Sequence, residues 1–471
     1  MRKITNLIND CVTEYFRCDE EYVRFAVKET SSARRGYFKF GSEAICFGNC
    51  KGDPAVTLAD PLPDALADIA MTDGIVTLPF DPSEVIRNLH CEEYIADWRQ
   101  SGKTAVLAQI YYFLRPLLAV SIRRYLQRIH LRGWEKVAFP RWPVDTSVDS
   151  LQHELLRVAL RNSGVSHIPF IWFWPNGAPS CAIMTHDVET HKGRDFSPTL
   201  MDVDDSFGIK ASFQVIPEER YTVAPEFLDS IRNRGFEVVV HDLNHDGHLY
   251  RDRDEFLQRA SKINSYGKIY KADGFRAGVL YRKQLWYDAL DFSFDMSVPN
   301  VAHLDPQRGG CCTVMPYFIG NILELPVTMI QDYTLFNILN DYSIDIWLRQ
   351  SEIVMRNNGL MSFIVQPDYV INRREQEIFK QLLAHLTKLR KERGLWIAKP
   401  GEVNRWWRQR AAMRLVQDEC GWRVEGDGSE RACVAYASER DGKICFSVGT
   451  GRSAQVGEFI HAQRVDVSAN G

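Results

Sequence analysis

The sequence predicts an α/β protein with a parallel β/α sheet or barrel at its centre. Between about residues 180 and 400, short apolar segments of strand character alternate with helical patterns, which is typical of parallel sheets with crossover helices. Several of the helical patterns end in a basic residue followed by glycine, as at Arg234-Gly235 and Arg393-Gly394, and this pair is a common helix stop. This alternation of strand and helix patterns is not seen on either side of the stretch. We therefore predict an N-terminal α+β accessory region (1–175), a β/α region (176–402) and a small C-terminal β appendage (403–471).

The composition is that of an ordinary globular protein. Of the 471 residues, 45% are hydrophobic and 25% are charged, and the formal net charge is -4. This balance gives no electrostatic reason to expect a nucleic-acid partner. The 11 cysteines include no C-x-x-C pair, and the N-terminus lacks the apolar core of a secretory signal peptide. We therefore expect reduced thiols and a cytoplasmic location.

The accessory region is predicted to mix strands and helices. Ile75–Phe80 has strand character, and Val148–Ser163 carries leucines at helical spacing. The longest apolar stretch, Thr104–Ile122, is broken by Arg115 and Pro116, so we predict no transmembrane segment. Because a basic segment follows it, this stretch is either a buried helix with a solvated basic end or an interfacial helix that makes peripheral contact with an anionic membrane.

The β/α region is predicted strand by strand. Its candidate strands are Cys181–Thr185, Ala211–Pro217, Phe236–His241, Gly274–Ala277, Ser293–Val298, Ile322–Leu325, Leu360–Pro367 and Trp396–Ala398. Helices are predicted between them at about 197–207, 224–234, 252–266, 282–290, 340–357 and 373–392. In the appendage, a basic helix is followed by strands at Trp422–Val424, Ala432–Ala437 and Lys443–Val448. Trp172 and Trp174 lie in the connector before the predicted strand Cys181–Thr185. They are predicted to be core or lid residues.

The first motif with chemical potential is THDVE, directly after the predicted strand CAIM. Asp187 and Glu189 lie two residues apart, so both carboxylates can face one pocket. A metal site that activates water needs one carboxylate as ligand and another as free base. The alternative is a helix-capping aspartate beside a solvated glutamate. Asp205, which lies further along the chain, is predicted to be exposed on a helix face.

The second motif is HDLNH, directly after the predicted strand FEVVV. His241 and His245 converge on one cation if the chain turns helically after the strand. Asp242 or Asn244 could then orient one of the rings. The alternative is a pair of surface histidines in a polar loop. His248 is a third, less favoured imidazole.

The third motif, GFRAG, places Arg276 at the end of a further predicted strand. An arginine there can hold a catalytic aspartate in its ionised form, although an ordinary salt bridge at the rim is equally consistent. Taken together, one carboxylate and two histidines match a catalytic zinc site with an open position for water. Other divalent transition metals would suit the same ligands.

This series of motifs, THDVE, HDLNH, FRAG and FDMSVP, resembles the polysaccharide deacetylases in order and spacing. The resemblance covers about residues 180–400. It implies a distorted β/α barrel and a hydrolase that removes acetyl groups, by cleavage of non-peptide C–N bonds, from an acetylated sugar, glycan or glycan precursor. It also implies metal ligands at Glu189, His241 and His245, with Zn²⁺ as the expected cation, and catalytic residues at Asp187, Arg276 and Asp295. In this assignment Asp187 is the general base, Arg276 tethers it, and Asp295 is a later motif residue near the pocket.

Two positions depart from the family pattern. Glu189 stands where the family usually has aspartate. Gln366 stands where a histidine would protonate the leaving amine, and glutamine cannot titrate. The sequence therefore leaves two alternatives open: a catalytically impaired relative that binds a glycan or regulates a partner, and a β/α hydrolase that acts on another C–N bond.

Overall fold

The computed structural model describes residues 9–27, 34–95, 131, 133–419, 421–449 and 453–454. The stretch Thr104–Ile122 lies outside these residues, so its proposed membrane contact stays a prediction. The N-terminal elements are α1 (Asp10–Phe16), β1 (Phe25–Val27), β2 (Arg34–Phe40), β3 (Ala44–Cys50), β4 (Ala70–Thr72), β5 (Ile75–Leu78), α2 (Pro82–His90), α3 (Ser147–Ser163) and β6 (Ile168–Ile171). The predicted strand at 75–80 and helix at 148–163 are thus present as β5 and α3.

A curled nine-stranded sheet, shaped as half a barrel, forms the centre of this mixed α/β protein. The strands of this sheet and the helices that connect them are, in chain order, β7 (Cys181–Val188), α4 (His191–Ser206), β8 (Ser212–Val215), α5 (Pro225–Asn233), β9 (Glu237–His241), α6 (Arg253–Tyr270), β10 (Gly274–Arg276), β11 (Phe294–Asp295), β12 (Tyr317–Ile319), β13 (Ile322–Glu324), α7 (Asp345–Arg356), β14 (Leu360–Ile364), α8 (Arg373–Arg393) and β15 (Trp396–Ala398). The strand order is β12-β13-β11-β10-β9-β8-β7-β14, and β15 also pairs with β7. All eight predicted strands are present.

Several local features differ from the prediction. The first helix of this region, α4, begins at His191, about six residues before its predicted start. The stretch predicted as a helix at 282–290 contains only a short 3₁₀ segment, Gln284–Ala289. The helix predicted from 340 begins at Asp345, because a π-helical turn at Thr334–Leu339 precedes it. The antiparallel strand β12 was not predicted. Its three residues are too few to give a periodic signal.

Irregular chain segments cover the outer edge of β14. The backbone N–H of Leu360 donates to the carbonyl of Val314 over 2.8 Å. The Thr328 hydroxyl donates to the Leu360 carbonyl over 2.6 Å and accepts from the Ser362 N–H over 3.0 Å. Buried backbone groups need such partners. These contacts therefore give the edge strand the hydrogen bonds that a regular neighbouring strand would supply.

The carboxyl ends of the parallel strands meet at one edge of the sheet. All eight residues of β7 are buried, as expected for a central parallel strand with apolar layers on both faces. Asp187 in β7 pairs in register with Gln214 in β8, and His241 in β9 pairs with Arg276 in β10. The three predicted motifs therefore lie side by side at this edge.

The C-terminal elements are α9 (Pro400–Ala412), β16 (Arg414–Asp418), β17 (Gly421–Glu425), β18 (Val434–Arg440), β19 (Lys443–Val448) and β20 (Ser453–Ala454). Strand β18 pairs antiparallel with β6, so this part of the chain joins the core of the N-terminal part. Trp172 and Trp174 are buried in that core. Buried Arg410 of α9 donates to four backbone carbonyls, of Tyr15, Phe16, Ile171 and Trp172.

Within the described residues, none of the helices combines the length and the apolar character that a membrane crossing requires.

Candidate active site

The end of β7 is shaped by the turn into helix α4. The Thr190 hydroxyl caps this helix by accepting from the backbone N–H groups of Lys192 and Gly193. Asp368 accepts from the Thr190 hydroxyl and from the Glu189 N–H, the latter over 3.3 Å. A side chain at Gly193 would collide with the Asp368 carboxylate. The glycine therefore lets Asp368 fix the backbone at Glu189.

Glu189, His241 and His245 come together at this edge. Their ligand atoms all lie within 4.8 Å of one another, as a shared cation requires. The Nε2 atoms of both histidines are buried and make no hydrogen bond within the described residues. The Nδ1 of His241 lies 3.1 Å from the Arg276 carbonyl, so its proton is donated there and the Nε2 lone pair is free. This donor set fits a divalent metal.

The histidines converge through a loop rather than through the predicted helical turn. Asp242 and His245 both have φ near 56°, a left-handed conformation that non-glycine residues rarely adopt. Asp242 stabilises the loop by accepting from the Leu243 N–H over 2.7 Å and from the Gly278 N–H over 3.2 Å. His248 is not part of the cluster. Its side chain is 52% exposed and lies beside Asp246.

Gly278 of the FRAG motif allows this loop to approach β10. A Cβ at this position would collide with Asp242 Oδ2 and would lie only 2.9 Å from His245 Cδ2. The motif therefore contributes two features to the site: the side chain of Arg276, and a glycine that lets the side chains of Asp242 and His245 approach the backbone at position 278.

Arg276 and Asp187 form a buried ion pair next to the triad. Nη1 of Arg276 lies 2.6 Å from Asp187 Oδ1 and also donates to the Thr185 hydroxyl over 2.7 Å. Its Nε donates to the Met296 carbonyl over 3.0 Å. Asp187 Oδ2 lies 3.9 Å from His241 Nε2. The carboxylate is thus fixed beside the metal-binding position with one oxygen directed towards it.

Gln366 contacts the triad directly. Its Nε2 donates to Glu189 Oε1 over 2.7 Å, and its backbone N–H donates to Asp332 Oδ2 over 2.8 Å. The buried carboxylate of Asp332 was not predicted from the sequence. In the sequence, Asp332 is an acidic residue that follows an apolar segment. This pattern does not reveal a hydrogen-bond partner on a distant part of the chain. Burial raises the pKa of Asp332 well above its usual range, although the bonds from Gln366 and Tyr333 oppose this.

Neighbouring charges shift the pKa values of Glu189 and His245. Burial acts to raise the pKa of Glu189, but the neighbouring His245, His241 and Arg220 outweigh it and lower the pKa to about 2. Burial acts to lower the pKa of His245, and the Glu189 carboxylate, 3.3 Å away, reverses the shift and raises it. Arg220 Nη2 lies 3.2 Å from His245 Nδ1 but donates over the shorter distance of 2.8 Å to the His245 carbonyl.

Asp295 is buried away from these contacts. It accepts from the Tyr287 hydroxyl over 3.0 Å and from the Ser297 N–H and hydroxyl, each over 2.9 Å. Burial, together with Asp295, raises the pKa of Glu324 well above its usual range. None of the hydrogen bonds of Asp295 reaches Asp187 or the triad. Its catalytic role stays a prediction.

His186 of the THDVE motif is directed away from the site. Its Nδ1 lies 2.6 Å from the Val365 carbonyl and its Nε2 lies 2.9 Å from Asp204 Oδ2, and both side chains are fully buried. This pair links β7, the end of β14 and helix α4. Asp205, predicted to be exposed, is partly exposed and pairs with Lys210 and Arg234. Its buried neighbour Asp204 was not predicted from the sequence.

Comparison with solved structures finds matches at low sequence identity. The solved structures that the chain matches include polysaccharide deacetylases. A Mycobacterium smegmatis protein described as a polysaccharide deacetylase is 17% identical, with a TM-score of 0.42, over 50% of this chain and 93% of the other. A peptidoglycan deacetylase from Bacillus subtilis is 13% identical, with a TM-score of 0.33, over 51% of this chain and 96% of the other.

No family model matches the sequence, and a search of curated proteins found no match. Because both TM-scores are below 0.5, the functional proposal depends on the geometry of the site.

Proposed function

We propose that this protein is a metal-dependent hydrolase that removes acetyl groups from an acetylated sugar, glycan or glycan precursor. The observation that carries the proposal is the convergence of Glu189, His241 and His245 beside the Arg276–Asp187 pair. Within the described residues neither Nε2 atom makes a hydrogen bond, and that of His245 faces Glu189 Oε1 across 3.3 Å. A structural cluster would satisfy its buried nitrogens within the protein. A metal site leaves them free.

The residues around the triad suit amide hydrolysis. A divalent cation, with Zn²⁺ as the expected one, supplies Lewis acidity towards a carbonyl group and towards water. Asp187 takes a proton from the attacking water, because Arg276 holds its Oδ1 while its Oδ2 is directed towards the metal-binding position. His241 keeps its ring orientation through the bond to the Arg276 carbonyl.

The proton for the leaving nitrogen must come from a group other than Gln366. Asp187 can return the proton that it took from water, so that the C–N bond breaks to give an amine and acetate. One carboxyl group then serves as base and as acid in turn. We therefore expect slow but measurable turnover, since the loss of a separate general acid costs about 10²–10⁴ in rate.

The substrate class and the location are further parts of the proposal. An acetylated glycan or its precursor fits the metal-dependent chemistry, and a cytoplasmic location would favour a precursor over a mature wall polymer. The net charge of -4 gives no support for a nucleic-acid substrate.

The test combines metal analysis with acetate release. We expect about one Zn²⁺ per chain in the wild type and little in the His241→Ala/His245→Ala variant, as measured by elemental mass spectrometry. His248→Ala, which changes an exposed histidine nearby, should retain the metal. Acetate release should be measured with N-acetylglucosamine oligomers and with O-acetylated sugars. A wild type with no more metal than the double variant would refute the site, and metal without acetate release would refute the activity.

A further inference from the structure

We infer that Gln366 is a positioning residue that fixes the carboxylate of Glu189 for metal binding. This inference rests on the proposed function, because it concerns the same site. The two residues are the two departures from the family motif pattern, and they are in direct contact: Gln366 Nε2 donates to Glu189 Oε1 over 2.7 Å. The two departures therefore form a single hydrogen-bonded arrangement.

Glu189 needs such a partner because of its length. A glutamate has one more rotatable side-chain bond than an aspartate, so more rotamer freedom is lost when its carboxylate becomes a fixed ligand. The Glu189 side chain is 23% exposed, so packing alone does not fix it. A hydrogen bond from a rigid neighbour limits its rotation before the cation arrives.

Gln366 is itself buried, and its backbone is fixed by a hydrogen bond. The residue is only 4% exposed, and its backbone N–H is bound to Asp332 Oδ2 over 2.8 Å. Only the NH₂ end of its amide can donate to a carboxylate, so the orientation of the amide is determined. The donor is also neutral. It therefore leaves the full charge of Glu189 for the cation, whereas a charged donor would compete as an ion pair.

A direct consequence is that changes at the two positions are not additive. Shortening Glu189 to aspartate withdraws the carboxylate by one C–C bond, about 1.5 Å, which is enough to break a 2.7 Å hydrogen bond. Once this bond is lost, the amide of Gln366 has nothing left to position. Removing the amide then has little further effect on metal affinity.

The experiment is a double-mutant cycle on the whole chain, with Zn²⁺ alone titrated calorimetrically into metal-free protein. Gln366→Met removes the donor at similar volume and should weaken Zn²⁺ binding by about 10- to 100-fold, the range for loss of a partner of a metal ligand. In the Glu189→Asp background, the same change should alter the affinity by less than about threefold. Equal losses in both backgrounds, or no loss in the wild-type background, would overturn the inference.

A matched control separates positioning from general loss of stability. Gln350 is also a buried glutamine, but it donates to the carbonyls of Pro143 and Thr328. Gln350→Met should leave Zn²⁺ affinity within about threefold of the wild type, and a loss as large as that of Gln366→Met would refute a specific role for Gln366. A wild type that binds no Zn²⁺ would instead refute the proposed function. A wild type that binds Zn²⁺ and shows additive effects would refute only the positioning role.

Discussion

Arg276 and Asp187 form a buried ion pair, with Nη1 of the arginine 2.6 Å from Oδ1 of the aspartate. Removal of the guanidinium in Arg276→Met would leave a buried carboxylate without its counter-charge. We expect a loss of about 3–5 kcal/mol in the free energy of unfolding, measured by urea denaturation. Arg194→Met, which removes a more exposed pair with Asp195, should cost less than about 1 kcal/mol. Similar costs in the two variants would contradict the importance of the buried pair.

Gly278→Ala tests the close approach between the histidine loop and β10. The added methyl group would collide with Asp242 and crowd His245, so the loop must shift. We expect Zn²⁺ affinity to fall by about 10-fold or more, measured by calorimetry, while far-UV circular dichroism is retained. The control is Gly320→Ala, where φ is 56° and no atom lies within 4 Å of the new methyl group. This variant should lose some stability through backbone strain and keep its metal affinity.

Asp204→Ala and Asp205→Ala form a matched pair of adjacent substitutions. The first leaves His186 without its buried partner, and we expect a loss of roughly 3–5 kcal/mol in the free energy of unfolding. The second removes a surface carboxylate that contacts Lys210 and Arg234, and we expect a loss of less than about 1 kcal/mol. Chemical denaturation of both variants measures the difference. If Asp205→Ala costs as much as Asp204→Ala, the assignment of His186–Asp204 as the structural pair is wrong.

Asp149 should make stability depend on pH. Burial raises its pKa from 3.8 to about 7, although bonds from Thr313, Val314 and Tyr15 oppose the shift. The folded state therefore holds a proton that the unfolded state has released between about pH 4 and 7, so this group's contribution is complete below pH 4 and is lost as the pH rises through 7. The full change is roughly 4 kcal/mol at 1.36 kcal/mol per pKa unit.

The measurement is the free energy of unfolding of the wild type and of Asp149→Asn between pH 4 and pH 8, with metal removed. The difference between the two proteins isolates Asp149 from other buried carboxyl groups such as Glu237, whose pKa burial also raises to about 7. Stability of the wild type relative to the variant should decrease with rising pH. Parallel curves would show that Asp149 is ionised in the folded state throughout this range.

Much of the central sheet could be predicted from the sequence because its strands are short apolar runs bounded by turns. All eight candidate strands were found, and the residues of the triad lie where the motifs placed them, at the strand ends. Local sequence was sufficient to place these residues, because a residue that directly follows a parallel strand lies at the carboxyl edge of the sheet.

The remaining features depend on contacts between distant parts of the chain. Gln366 was recognised as a departure, but its bond to Glu189 joins residues 177 positions apart. Asp204 and Asp205 are both acidic residues of one helix, and only the packing of α4 decides which of them meets His186. The course of the histidine loop depends on Gly278 from the next strand. No periodic pattern encodes such pairings.

The pairing of β18 with β6 has a consequence for synthesis on the ribosome. Strand β6 emerges long before its neighbour, and Arg410, which binds the carbonyls beside it, follows Trp172 by 238 residues. Until that late segment is translated, the nascent chain carries an apolar strand with an open edge, the kind of surface on which chaperones act and on which chains associate wrongly. Folding around β6 therefore cannot be completed until α9 and β18 have been synthesised.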